Sequence, residues 1–191
     1  MGNQTIIEDQ TFGQTDFSVS GLNAAEYENC TFEQCSFSNV DMARLIFTNC
    51  IFEACNFSLA NISNTAFRDV SFKGCKMLGL HFDECNPFLF SVSFTDCQLN
   101  LSSFYKMKLK KTSFSNCNLL EVDFSEADLT QSVFERCEMS GAIFDRSILE
   151  KADFMTSFNY SINPETNKIK KARFSKEGVI GLLNKYDIII E

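Results

Sequence analysis

The fold of this chain is decided by a stretch that reads Cys117-Asn-Leu-Leu-Glu-Val-Asp-Phe-Ser-Glu-Ala-Asp-Leu-Thr-Gln-Ser-Val-Phe134. From Leu119 to Phe154 every fifth residue is large and apolar, and the residue two places before each of these is small or thin. The remaining positions are mostly polar or charged. The stretch therefore has a strict period of five.

A period of five fits neither the 3.6-residue repeat of an amphipathic helix nor the two-residue repeat of a strand. It is explained if each group of five residues forms one side of a square coil, with two side chains pointing inward and three outward. Four sides close one turn of twenty residues, and successive turns bond about 4.8 Å apart, as neighbouring strands do. One such turn cannot bury its own apolar side, so the pattern predicts a stacked solenoid.

The period is interrupted once in the 191 residues. A first frame ends at Phe82, and a second frame, displaced by two residues, begins at Phe94. Pro87 stands at the interruption, where Phe88 and Phe90 are predicted to fill the junction. We expect an N-terminal stack over 1–86, a register break over 87–91, a C-terminal stack over 92–158 and a tail over 159–191. In the second frame Phe alternates with Leu or Met, which predicts Phe on one opposed pair of sides and Leu or Met on the other.

The nine cysteines fall in the small inward position, Cys85 included if the first frame is extended to its end. Several recur every twenty residues, as Cys35, Cys55 and Cys75 do. Stacked turns would align these thiols in buried ladders, in which they serve as small core residues. No histidine cluster accompanies them, so we expect neither a metal site nor a cofactor.

The pattern fades after Ser157, and the tail has a different composition. Ser175 is predicted to be the N-cap of a short helix from about Lys176 to Lys185, followed by a strand over 187–191. A solenoid needs a terminal cap, and this tail is more apolar than a simple cap requires. We therefore expect it to pair two chains in a homodimer through six apolar residues: Val179, Ile180, Leu182, Leu183, Ile188 and Ile190.

The sequence contains no recognisable catalytic constellation. The single histidine, His81, precedes an inward Phe and is predicted to point outward. The net charge of −8 argues against direct binding to nucleic acid or to an anionic membrane. The start of the chain resembles no secretory signal, which predicts a cytoplasmic protein. We expect a protein that is not an enzyme.

The charged residues at outward positions are the remaining candidates for a functional surface. Positions twenty apart share a side, so Glu8 and Glu28 are predicted to stack, and so are Glu33 and Glu53. The candidate acidic surface for binding a partner comprises Glu8, Glu26, Glu28, Glu33, Glu53, Asp123, Glu126 and Asp145. A basic collar separates the two acidic bands: Arg68, Lys73, Lys76, Lys106, Lys108, Lys110 and Lys111. Such a surface attracts partners that have a basic groove.

Individual five-residue groups resemble a known sequence motif. Ala127-Asp-Leu-Thr-Gln, Ala60-Asn-Ile-Ser-Asn and Cys117-Asn-Leu-Leu-Glu match the A(D/N)LXX motif of pentapeptide-repeat proteins. The resemblance covers about residues 7–158 and implies an all-β fold, a right-handed quadrilateral β-helix, here with a short C-terminal α-helical cap. The segment Cys75-Lys-Met-Leu-Gly-Leu and the ending Lys171-Ala-Arg-Phe-Ser are similar to the Qnr-type and albicidin-resistance members.

That group is implied to consist of topoisomerase-protecting dimers whose acidic rods imitate duplex DNA. The resemblance thus predicts a DNA mimic that binds DNA gyrase or topoisomerase IV and shields it from a quinolone-type or albicidin-type poison. One departure is that the first frame has no inserted loops, which many Qnr-type proteins carry. The alternative is a pentapeptide-repeat scaffold that binds an unrelated protein and has no activity on topoisomerases.

Overall fold

The computed structural model describes residues 5–22, 25–186 and 188–189. The chain forms a parallel β-helix in which each residue of one turn pairs with the residue twenty places further on. The predicted quadrilateral solenoid is confirmed. Its inward positions form one continuous core, while the outward positions remain at least partly exposed.

Two of the four sides contain regular strands. Side 1 holds a four-stranded parallel sheet made of β1 (Thr5–Glu8), β3 (Ala25–Glu28), β5 (Ile46–Thr48) and β7 (Ala66–Arg68). Side 2 holds a seven-stranded parallel sheet made of β2 (Thr11–Gly13), β4 (Thr31–Glu33), β6 (Ile51–Glu53), β8 (Val70–Lys73), β9 (Val92–Thr95), β10 (Ser113–Ser115) and β11 (Val133–Glu135).

Isolated parallel bridges continue the pairing where strands are not regular. They define side 3, from Asp16 and Ser36 onward, and side 4, from Asp41 and Asn61 onward, and they extend side 1 through Lys108, Asp128, Ile148 and Lys168. The first side-3 position also carries a helical turn, α1 (Phe17–Ser20), which is capped by the Asp16 carboxylate accepting from the Ser18 amide at 2.9 Å.

The core is built from stacked aromatic rings. On side 2 nine phenylalanines form an unbroken column from Phe12 to Phe174, with neighbouring ring centroids 4.7 to 5.4 Å apart. Side 4 carries a second column that begins at Phe82 and ends at Phe144. Leu or Met fills the corresponding positions of sides 1 and 3 in this half, so the predicted alternation of opposed sides is confirmed.

The register break is an insertion confined to side 1. The longer sheet passes it without a gap, because Phe72 pairs with Phe94, two residues beyond the usual twenty. A 3-10 helix, Phe82–Glu84, leads into the inserted segment. Phe90 packs on the core and meets the Phe67 ring at 6.5 Å, but Phe88 is 65% exposed. The prediction that Phe88 fills the junction is therefore wrong, since its ring lies outside under the Arg68 guanidinium. The division into two stacks stays a prediction.

The tail folds back over the last turn as a helical cap. The Ser175 hydroxyl accepts from the Gly178 amide at 2.9 Å, as a cap would, but the helical segment begins at Gly178 and its N-cap position is Glu177. The helix itself is two short 3-10 segments, Gly178–Leu182 and Asn184–Tyr186, in place of one α-helix over 176–185. Ile188 and Ile189 are not in a strand, and the rest of the strand predicted over 187–191 lies outside the described residues.

Candidate protein-interaction surface

The cysteines are structural, as the sequence predicts. All nine are free and buried, and their thiols point into the coil. Each thiol of the regular ladder donates to backbone carbonyls, as Cys50 does to Tyr27 of the preceding turn at 3.4 Å. Burial raises the pKa of the Cys50 thiol to about 12, so this group stays protonated at neutral pH. A thiol held in this way is neither a nucleophile nor a metal ligand.

No reaction centre is visible in the described parts of the chain. Residues 5–22, 25–186 and 188–189 contain no group of His, Cys, Asp and Glu that could hold a metal ion. The His81 side chain is 62% exposed and lies 3.4 Å from the Asp83 carboxylate, so it points outward as predicted. The exposed charged side chains of the chain lie at its outward positions.

The candidate acids of the N-terminal turns divide between two sides. Glu8 and Glu28 stand in register on adjacent strands of side 1, and Glu26 lies beside them, 3.8 Å from the Arg68 guanidinium. Glu33 and Glu53 are paired in the same way at the end of side 2. The predicted stacks are thus present, although they face different directions.

Glu33 and Glu53 line a shallow surface groove of about 460 Å³. Its other walls are small or amide-bearing residues, Gly13, Gln14, Gln34 and Ala54. The Gln14 side chain donates to the Gln34 side chain at 3.0 Å, which fixes one edge of the groove. Neither glutamate makes an ion pair with another described residue, although Lys73 stands in register with Glu53 on the next strand, so the groove is acidic and has one cation beside it.

The three C-terminal candidates lie together on side 4, but their charge is largely engaged. Asp123 accepts a hydrogen bond from the Ser125 amide at 2.8 Å, which closes its own turn. Glu126 lies 3.6 Å from the Lys106 ammonium and 3.1 Å from the Arg146 guanidinium. Asp145 is 3.4 Å from the same Arg146. A partner would meet a mixed rather than a purely anionic surface here.

The tail lysines lie on side 1, outside the basic collar that is predicted around the middle of the chain. The bridges place Lys168 on side 1, in the same column as Lys108. Lys170 and Lys171 follow on the same side, and all of these side chains are exposed. The sequence does indicate this placement, because Lys151 and Lys171 are twenty residues apart and positions at that spacing share a side. The C-terminal half of side 1 is therefore a basic surface.

The predicted dimerisation residues occupy the tail. Val179 and Ile180 are 42% and 47% exposed, and Ile188 is 55% exposed. Leu182 packs against the solenoid core and Leu183 is partly buried, so these two serve the cap itself. Ile190 lies outside the described residues. The tail presents an apolar patch, but only part of the predicted set is available to a second chain.

Two glycines allow the cap to lie close to the last turn. A Cβ on Gly178 would stand 2.1 Å from the Tyr160 hydroxyl, and one on Gly181 would stand 2.2 Å from the Tyr160 carbonyl oxygen. The Gly181 carbonyl accepts from the Ile162 amide at 3.0 Å. The described helices include none long and apolar enough to cross a bilayer.

Comparison with known proteins agrees with this architecture. The family described as pentapeptide repeat region matches residues 25–88, 45–112 and 88–158, which together span more than half of the chain. A parallel quadrilateral solenoid with this repeat defines a class of proteins, and the chain belongs to the pentapeptide-repeat family. No curated protein sequence matches it.

Two solved structures illustrate the range of that fold. The plasmid-mediated fluoroquinolone resistance protein QnrB1 superposes with a TM-score of 0.52 at 16% identity, covering 96% of this chain and 100% of that one. HetL, a pentapeptide-repeat protein involved in heterocyst differentiation regulation in the cyanobacterium Nostoc sp. strain PCC 7120, superposes with a TM-score of 0.63 at 13% identity, covering 90% and 87%. At these identities the likeness establishes the fold alone.

Proposed function

We propose that this protein is a non-enzymatic, cytoplasmic DNA mimic that binds DNA gyrase or topoisomerase IV and protects it from a drug or toxin. The observation that carries the proposal is the set of carboxylates of the N-terminal turns that make no ion pair, held in register on a Qnr-like scaffold. Successive turns repeat about every 4.8 Å, which holds carboxylates at fixed spacings along a rod. A basic DNA-binding groove would receive such a rod through charge complementarity.

The proposal assigns unequal weight to the candidate acids. Glu33 and Glu53 make no ion pair among the described residues, with Lys73 in register beside Glu53, whereas Glu126 and Asp145 face Lys106 and Arg146. Binding energy from an ion pair requires a carboxylate that is free to take a new partner. We therefore place the main contact on the N-terminal acids of sides 1 and 2, and we assign chain pairing to the exposed part of the tail, Val179, Ile180 and Ile188.

The test is a supercoiling and cleavage assay of purified gyrase, with the protein titrated in and with or without a fluoroquinolone. We expect rescue from the drug at low protein and inhibition of supercoiling at higher protein. The paired changes Glu33→Gln and Glu53→Gln should weaken both effects at least tenfold. The matched control, Glu121→Gln with Glu138→Gln on side 3, should leave them unchanged. Equal behaviour of the two variants would contradict charge mimicry by the N-terminal acids.

A second candidate function is a scaffold for an unrelated protein. It is favoured by the better superposition on HetL, a protein involved in heterocyst differentiation regulation. Under this hypothesis neither gyrase nor topoisomerase IV responds to the protein at any concentration. The same assay therefore separates the two functions.

A further inference from the structure

The net charge of side 1 changes from negative to positive along its length. We number its rows 1 to 9 from the N-terminus, one for each turn. Rows 1 and 2 carry Glu8, Asp9, Glu26 and Glu28, and row 4 carries Arg68 and Asp69. Row 6 carries Lys108, Lys110 and Lys111. Rows 8 and 9 carry Lys151, Lys168, Lys170 and Lys171, and the acids in this half are Asp128 and Glu150. Five acids against one base in rows 1–4 give −4, and seven bases against two acids in rows 6–9 give +5.

The charges of the basic half are available for a partner. All seven of its lysines are exposed. Among the described residues only Lys110 makes an ion pair, with Asp128 at 3.1 Å. In the acidic half Glu8 and Asp9 are exposed and have no ion pair in the same described residues, while Glu26 contacts Arg68 at 3.8 Å.

An apolar pair stands between the two halves. Row 5 is the inserted segment, held over row 4 by a 2.7 Å hydrogen bond from the Ser91 hydroxyl to the Asp69 carboxylate. At its tip Phe88 and Leu89 are 65% and 63% exposed. Two large apolar side chains exposed next to each other on a largely charged side are typical of an interaction site, although Ile6 of row 1 is also 52% exposed.

We propose that side 1 pairs with side 1 of a second copy of this chain, antiparallel, about a two-fold axis at row 5. The axis brings Phe88 and Leu89 of one copy against the same residues of the other, as an isologous interface requires. It also exchanges row 1 with row 9, so that Glu8 and Asp9 face Lys168, Lys170 and Lys171. This acid–base contact occurs twice in the dimer, once at each end of the paired sides. An acidic or basic partner of another kind would complement one half of side 1 and repel the other.

The size of side 1 sets the strength of this contact. Nine rows at about 4.8 Å span roughly 38 Å, and three extended residues are about 10 Å wide. The contact therefore covers roughly 400 Å² per copy, about half of a standard interface. Its affinity depends on steering by opposite charges, which salt screens within about 10 Å at 0.1 M. The dimer should be reversible and should dissociate as salt rises.

The test is the mass in solution by sedimentation equilibrium of the full chain at 25 mM and 500 mM NaCl. We expect the mass at low salt to be at least twice that at high salt, and larger still if the tail also pairs chains. The variant Lys168→Glu with Lys170→Glu should lose this doubling. Adding Glu8→Lys and Asp9→Lys to the same chain should restore it, because the two ends then exchange sign.

The matched control exchanges Glu135 and Arg136, which pair with each other at 2.8 Å on side 2, and it should keep the doubling. Replacing Phe88 and Leu89 with Ser should abolish the doubling without changing the unfolding temperature at high salt. A mass that is equal at the two salt concentrations overturns the proposal. So does a four-residue charge exchange that fails to restore the doubling. A mass that rises at low salt only when duplex DNA is added would assign the basic half to nucleic acid instead.

Discussion

The rings of Phe72 and Phe94 stack 5.4 Å apart at an interplanar angle of 11°, although 22 residues separate them instead of twenty. The two additional residues are absorbed on side 1, and the aromatic column of side 2 passes the insertion unchanged. The core of this protein is therefore insensitive to the one irregularity in its sequence.

The first prediction concerns that column. Phe94→Ala removes a fully buried ring that stacks on neighbours above and below, so it should lower the free energy of unfolding by about 3–5 kcal/mol. Phe88→Ala, in the same region but 65% exposed, should change it by less than about 0.5 kcal/mol. Urea unfolding at 500 mM NaCl measures both. Similar values for the two variants would show that the column does not carry the stability.

The second prediction concerns the corners. Leu59 has φ 61° and is 77% exposed, so its side chain contributes little packing to offset a strained backbone. Left-handed backbone costs an ordinary residue about 1–2 kcal/mol, and Asn accepts it more readily. Leu59→Asn should raise the melting temperature by a few degrees. Leu78→Asn, at an exposed position without positive φ, is the control and should give no increase.

The third prediction concerns alkali. Burial raises the pKa of Cys50 to about 12 from an unfolded value of 9.0, so the folded state favours the protonated thiol. Stability from this group is complete below pH 9 and is lost as pH rises toward 12. Cys50→Ala should therefore lessen the fall in melting temperature between pH 9 and 11. It should also lower stability at pH 7 through the cavity. Rapid alkylation of Cys50 in the folded protein at pH 8 would contradict a buried, protonated thiol at this position.

The fourth prediction concerns acid. Partial burial raises the pKa of Asp128, but hydrogen bonds from Thr130 and the nearby Lys110 outweigh it, and the net pKa is lowered. A lowered carboxyl pKa contributes stability above the unfolded value of 3.8, which is lost as pH falls below it. Asp128→Asn keeps an oxygen that can accept from the Thr130 amide, so its stability should vary less between pH 5 and 3. Asp9→Asn, at an exposed corner, is the comparison.

The fifth prediction concerns the cap. Gly181→Ala would place a Cβ against the backbone of Tyr160, which cannot move aside cheaply. The tail should detach, which would appear as fast amide exchange over 175–186 while the solenoid keeps its protection. Gly13→Ala has open space around its Cβ and should leave exchange unaltered. An undisturbed tail in Gly181→Ala would show that the cap is not held by this close approach.

The sequence predicted the solenoid, the buried thiols and the stacked acids, because inward positions repeat strictly and each sets one contact twenty residues away. It did not predict the backbone of the corners. Most sides end in a residue with φ near 60°, and these include Lys111 and Arg146 as well as the asparagines that favour it. Closure of the coil imposes this positive φ on the corner residue, so the intrinsic backbone preference of that residue does not predict it.

The surface was less accessible to prediction than the core. The stacking of Glu8 with Glu28 and of Glu33 with Glu53 was predicted correctly. The net charge of consecutive segments, however, does not show that Lys108 and Lys168 share a side. The tail was also read in the wrong helical form. Its conformation follows from the contact of Gly178 and Gly181 with Tyr160, and a tertiary contact of that kind leaves no periodic trace.

The uniform separation of twenty residues also has a consequence for how such a chain assembles and diversifies. The backbone pairing joins neighbouring turns, so folding can begin at any turn and spread in both directions without a distant loop having to close. Removal or duplication of one whole turn would preserve every remaining pairing. The molecule would change only in how far apart it carries the acidic and basic ends of side 1.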